Sequence, residues 1–423
     1  MTLSIEPKKD VAVGPQGKRP ARKDGTAAER GQASLFFDVV HVPEVESVSA
    51  SEIARPARAA AGGSGARGGR VAVGAVALFV GVFLLAAHGV RMLVPWPSDL
   101  GNDVRMRVFE QHKDEYDAVY IGPSTVYRSF RPDVIDPIVS KAGRPFRSFQ
   151  LGFGGMLGYE QSFYIREILA MQPRKLRWIF VEPSQFVTDP TMFNLYSERG
   201  VFRSDLTTTR EVLRGIALST DDWQERARLW AGHLKAWSWR LANLGKGPAI
   251  VASMLRRHLD ADAIEEEIVL KQGGFQDEDD PFGRHHRGFS LFEQPPPIDP
   301  KVYYQDLKTL ATRNQGRFNL SSFDIESLRE QRRVVEGAGL ELIYIVPSLY
   351  QPVPWITALN AQGEMGTLMA FNSPTDYPKL YRLRDRIDPV HVNRQGAAAF
   401  SLEFAKRLAE MWAGASAAPE GTR

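Results

Sequence analysis

Residues 71–90, VAVGAVALFVGVFLLAAHGV, contain no Asp, Glu, Lys or Arg. About 20 residues of α-helix cross a hydrocarbon core of about 30 Å, so a charge-free run of this length predicts a transmembrane helix. That helix would divide the chain into two parts that must fold separately. His88, near the end of the run, falls at the membrane–water interface, and Trp96 stands where an aromatic anchor is expected. Arg55, Arg58, Arg67 and Arg70 precede the run, with no acidic residue after Glu52, whereas Arg91 is followed by Asp99 and Asp103. This bias predicts a single-pass protein of the inner (cytoplasmic) membrane, with a cytoplasmic N-terminus and a periplasmic or otherwise extracytoplasmic C-terminal part. A cleaved signal peptide fits less well, because about 70 residues precede the apolar run.

Residues 1–69 are rich in Lys, Arg, Ala, Gly and Ser and read as a disordered cytoplasmic tail ending in a flexible stretch over 59–69. Of the 423 residues, 43% are apolar and 24% charged, enough to bury a large core beyond the tail. The net charge of +3 is small for this length, so nothing here argues for nucleic acid. The lack of Cys excludes disulfides and thiolate metal sites.

Over residues 105–412 the pattern becomes that of an α/β domain. Ala118–Ile121 is a short continuous apolar run of the kind that forms a strand buried on both faces. Phe146–Leu151, ending in glycines, reads as a second strand, and Trp178–Val181 and Leu342–Val346, each stopped by a proline, as a third and fourth. Helices are predicted over Tyr159–Met171, from Ser322 or Asp324 to Glu336, and over Gln395–Trp412. Strands alternating with helices imply a doubly wound, mostly parallel sheet covered on both faces. The rhythm is lost between 190 and 320, where Trp223, Trp230, Trp237 and Trp239 lie in a helical pattern reaching about Leu259. A polar, Pro- and Gly-rich stretch follows from Gly273 to Pro300. This region reads as a helical and loop insertion, serving either as a lid or partner surface or as further core.

Ligands of open parallel sheets bind at the carboxyl ends of the strands. Ser124 stands at such an end, in Tyr120-Ile121-Gly122-Pro123-Ser124, and Gly152, Gly154 and Gly155 follow the second strand. Far along the chain, Asp388-Pro389-Val390-His391 sets a carboxylate and an imidazole three residues apart. A hydroxyl is a weak nucleophile until a histidine oriented by a carboxylate takes its proton. If the fold joins the two segments, Ser124 is the nucleophile, His391 the general base and acid, and Asp388 its orienting partner. The plainer reading makes Ser124 and Asp388 caps and His391 a buried structural residue. No nucleotide-binding loop is present, and His285-His286 lacks acidic residues at ligand spacing, so no cofactor or metal is expected. The tryptophans of the insertion would suit either sugar stacking or a core.

Three blocks in this order resemble the SGNH hydrolase superfamily. Gly122-Pro123-Ser124 matches its first block, Gln150-Leu151-Gly152-Phe153-Gly154-Gly155 its second with Gln in place of Asn, and Asp388 to His391 its last. The third block, Gly-x-Asn-Asp, is replaced by Glu182-Pro183-Ser184-Gln185. The resemblance covers about residues 105–190 and 320–412. It implies a three-layer flavodoxin-like fold, with the Ser124 and Gly155 N–H groups as oxyanion hole and Gln185 as a substitute for the missing Asn. With one membrane anchor, the chain looks like the O-acetylation proteins of bacterial exopolysaccharide and cell-wall systems. Its expected partners are then a membrane-bound O-acyltransferase as acyl donor and a glycan acceptor. The resemblance leaves transferase and esterase open, and with them a non-catalytic scaffold or glycan-binding subunit of an exopolysaccharide assembly or export complex.

Overall fold

The computed structural model describes residues 65–93, 102–143, 145–184, 186, 195–219, 222–244, 261–275, 298–315, 318 and 322–416. The apolar run lies within helix α1, Gly65–Leu93. Its stretch Gly69–Val90 is long and apolar enough to cross a membrane, with only 6% buried. A core helix would hide one face, but here Val71, Leu78, Phe79 and Leu85 are all exposed. Residues 65–69, expected in the flexible stretch, instead extend the helix, since adding a turn to an existing helix avoids the cost of nucleation. Residues 1–64 and Trp96 lie outside the described residues.

Five parallel strands form one sheet: β1 (Ala118–Ile121), β2 (Ser148–Gln150), β3 (Trp178–Val181), β4 (Glu341–Val346) and β5 (Thr367–Ala370). Their order is β2-β1-β3-β4-β5. The chain thus passes from β1 outward to β2 and returns across β1 to β3. This reversal opens a crevice at the carboxyl ends of β1 and β3, where doubly wound sheets hold their ligands. β5 was not foreseen. It is a short edge strand with mixed exposure, so it carries no continuous apolar signal.

Helix α2 (Asn102–His112) precedes β1, while α3 (Ser124–Ser129) and α4 (Pro132–Lys141) lead to β2. Helix α5 (Gly158–Ala170) leads to β3. Between β3 and β4 come α6 (Glu198–Arg203), α7 (Leu206–Ser219), α8 (Trp223–Ala242), α9 (Ala261–Lys271), α10 (Pro300–Asn314) and α11 (Ser322–Gly337). Helix α12 (Pro354–Ala361) joins β4 to β5, and α13 (Arg394–Ser416) closes the domain.

Alternate strand residues feed two separate cores, as a period of two requires. Val119, Ile121, Ile179, Val181 and Tyr344 face α5, α7, α11 and α12. Tyr120, Phe180, Ile343 and Ile345 face α3, α4 and α13, where Phe130, Phe400 and Phe404 pack as an aromatic cluster. The result is a three-layer α/β architecture.

The predicted insertion supplies α6 to α10, so it is helical where described. At the end of α9, Gly273 and Gly274 take positive φ, and Gly273 O accepts from Gln150 N at 2.9 Å. The turn thereby covers an edge of β2 that would otherwise be open to pairing. His258, Leu259 and His285-His286 lie outside the described residues.

Candidate active site

Two short segments meet at the β1–β3 crevice. After β1, Gly122 lets α3 turn close against the strand, because a Cβ there would overlap the Val126 side chain. Pro123 caps α3 in an extended conformation, which makes Ser124 the first helical residue rather than the cap. Its side chain is half-buried at the rim.

The second segment is the loop before α13. Arg386 and Val392 form an antiparallel bridge, and Ile387 N donates to His391 O at 3.0 Å, so residues 387–391 are held in a tight turn. Asp388 Oδ1 accepts from Val390 N and His391 N, both at 2.7 Å, and thus caps the turn. Its other oxygen, Oδ2, lies 2.7 Å from His391 Nδ1. On the far side of the ring, His391 Nε2 lies 2.7 Å from Ser124 Oγ. Asn393 Oδ1 then accepts from Gly396 N at 3.0 Å and starts α13.

The protonation pattern follows from these contacts. Burial pushes the Asp388 carboxyl up, but the hydrogen bond and charge of His391 and the two backbone N–H groups outweigh it and hold the carboxyl below its ordinary value. An ionised carboxylate only accepts, so Nδ1 carries the ring proton and donates it. Nε2 is then left with its lone pair toward the Ser124 hydroxyl. The structure thus brings Ser124, Asp388 and His391 into one hydrogen-bonded line, and Asp388 uses one oxygen to cap the turn and the other to meet the ring.

The glycine turn after β2 lies beside the same rim, with Phe153 N donating to Gly122 O at 2.9 Å. A Cβ on Gly152 would crowd the Tyr127 backbone, which accounts for that glycine. Gly155 is exposed, with φ +61. Among the described residues neither the Ser124 nor the Gly155 N–H has an acceptor. Gln150, aligned with the second-block Asn, turns inward: its Oε1 accepts from Gly152 N at 3.1 Å, and its buried Nε2 has no partner. Gln185 lies outside the described residues, and Ser184 beside it is held by Gln161.

Several residues escaped the sequence reading. Arg386 is buried and reaches three carbonyls, Ser348 O at 2.6 Å, Leu380 O at 3.3 Å and Val390 O at 3.4 Å, tying the histidine loop to the segment after β4. Arg105 of α2 donates to Gly152 O at 3.0 Å. Arg199 of α6 donates to Gly154 O and bridges to the buried Glu160 at 2.6 Å, which also pairs with the buried Arg203. Burial pushes Glu160 up, yet the two guanidinium groups hold it below its ordinary value. Directly after β3, Glu182 is buried and takes a 2.5 Å hydrogen bond from Thr125 Oγ1, next to Ser124. Burial pushes its carboxyl up to about 8, so at neutral pH it is mostly protonated and adds no second negative charge beside the triad. An acidic residue ending the apolar run WIFV was the one sequence signal that pointed to it.

No family model and no curated protein matches this chain.

Proposed function

We propose that this chain is a membrane-anchored, extracytoplasmic serine acyltransferase or esterase acting on O-acyl groups of a bacterial polysaccharide or cell-wall glycan. The observation that carries this reading is the line Asp388–His391–Ser124, with both ring nitrogens at 2.7 Å from their partners. Ser124 Oγ attacks the acyl carbonyl as its proton passes to His391 Nε2, and Asp388 stabilises the imidazolium that forms. The proton then goes to the departing alcohol, leaving an acyl ester on Ser124. The Ser124 and Gly155 N–H groups, which have no acceptor among the described residues, suit the charge that develops on the carbonyl oxygen. A sugar hydroxyl or a water, deprotonated by His391, attacks the ester and frees the serine.

The glycan, and an acyl donor of the membrane-bound O-acyltransferase type, follow from the resemblance to SGNH O-acetylation proteins and from the candidate span Gly69–Val90. The basic flank of Arg55, Arg58, Arg67 and Arg70 supports an extracytoplasmic domain. The test is p-nitrophenyl acetate turnover by the full chain in detergent, beside Ser124→Ala. Turnover by the wild type alone supports the reading, and equal turnover by both removes Ser124 as nucleophile. An acyl group that leaves a donor only in the presence of glycan would separate transferase from esterase.

A further inference from the structure

Helix α8 carries two apolar faces, one packed inside the protein and the other mostly exposed, tied to α7 where Trp230 Nε1 donates to Leu213 O at 3.1 Å. Leu229, His233 and Ala236 are buried against the domain. A second line, Trp223, Ala227, Trp230, Leu234 and Trp237, repeats at alternate spacings of four and three. At about 100° per residue these positions share one stripe. Trp223, Trp230 and Leu234 are exposed, and Trp237 is half-buried. The next sector of the helix is polar or small and also exposed: Gln224, Arg228, Ala231 and Lys235, with Arg228 paired to Glu225 and the Lys235 ammonium over the Tyr196 and Trp239 rings.

A second observation says what covers the stripe. At its C-terminal end, Asn243 donates from Nδ2 to Ala87 O of α1. Ala87 is buried, whereas its neighbours Ala86 and His88 are exposed. It lies three residues before Val90, the end of the candidate span, which is about 4.5 Å of helix rise. The end of α8 therefore meets α1 at the boundary between hydrocarbon and headgroups. Tryptophan and leucine on one face with Arg and Lys on the other is the pattern of a helix lying in that boundary. Indole rings suit it because they are apolar with one polar edge.

We propose that α8 lies on the surface of the membrane that α1 crosses, with its Trp/Leu stripe in the headgroup–acyl boundary and its polar sector toward water. This rests on α1 spanning the bilayer and is independent of the acyl chemistry.

The chain has no Cys, so single cysteines can be labelled without background. Ala227→Cys and Leu234→Cys on the stripe, and Ala231→Cys on the polar face, are made in the full chain and labelled with NBD. Each is reconstituted in phosphatidylcholine–phosphatidylglycerol vesicles with and without doxyl-labelled lipid, and flotation checks that the chain travels with the vesicles. The expected result is blue-shifted emission at 227 and 234 that is lost with doxyl lipid, and unshifted, unquenched emission at 231. Equal quenching at 227 and 231, or none at 227 and 234, overturns the proposal. A blue shift that doxyl lipid leaves intact also overturns it, because a protein or a second copy of the chain then covers the stripe. A chain that fails to float overturns the spanning role of α1 and the inference with it.

Discussion

The two sides of the crevice are built in opposite ways. On the imidazole side, four consecutive residues supply the working groups, and Asp388 fixes its own turn while orienting the ring of His391. On the glycine side, Gly152 to Gly155 carry no functional side chain. Their carbonyls are held by guanidinium groups from distant elements, Arg105 of α2 and Arg199 of α6, while the N–H of Gly155 has no acceptor among the described residues. The first side is preorganised by local sequence, and the second borrows its shape from the helices around it. Damage to the first should therefore remove the chemistry, whereas damage to the second should weaken it.

The sharpest break is Asp388→Asn. An amide can donate to Nδ1 and favour the tautomer with its proton on Nε2, so turnover of a p-nitrophenyl ester should fall by roughly 10³–10⁴-fold. A loss under tenfold would show that His391 is oriented by something else. Arg386→Met tests the frame of that side. It leaves the carbonyls of Ser348, Leu380 and Val390 without their donor, and denaturant melts should show a loss of about 1–3 kcal/mol. Unchanged stability would remove Arg386 from the account.

On the glycine side, Arg199→Ala frees Gly154 O and breaks the bridge to Glu160. Misplacement of the turn should lower kcat by about 10- to 100-fold. Arg199→Lys keeps the charge but cannot grip both partners, so it should recover only part of that loss. Full activity in Arg199→Ala would mean that the glycine turn holds its shape unaided.

The smallest effect concerns Glu182, between the two sides. Its carboxyl is raised from an ordinary value of 4.5 to about 8 in the folded chain. The unfolded chain thus gives up this proton first as pH rises. The contribution is fully present below about pH 4.5 and is lost as pH climbs to about 8. Glu182→Gln has no such proton, so its melting temperature should fall less than that of the wild type between pH 5 and pH 8. Parallel curves would show that Glu182 is not the group responsible.

This contrast also explains what was legible in the sequence. The Asp388–His391 spacing and the Ser124 turn are local patterns; three of the four predicted strands are continuous apolar runs, and the second, Ser148–Gln150, is marked by the glycine turn that follows it. β5 exposes half of its few residues, and α3 is too short to show a period, so neither announced itself. Arg105, Arg199 and Arg386 were unreadable for a different reason. Each acts on a backbone carbonyl far from it in sequence, and a carbonyl leaves no trace in residue identity. Glu182 escaped because its role depends on burial beside Thr125, which only the assembled sheet creates. Gln185, assigned to the oxyanion hole by resemblance, lies outside the described residues.

The most direct measurement is intact-mass analysis of the full chain, acid-quenched during turnover of p-nitrophenyl acetate and followed by peptide mapping. A single acetyl adduct on the peptide containing Ser124, absent in Ser124→Ala, is the predicted result. Turnover that proceeds equally in Ser124→Ala, with no adduct at Ser124 in the wild type, would contradict it.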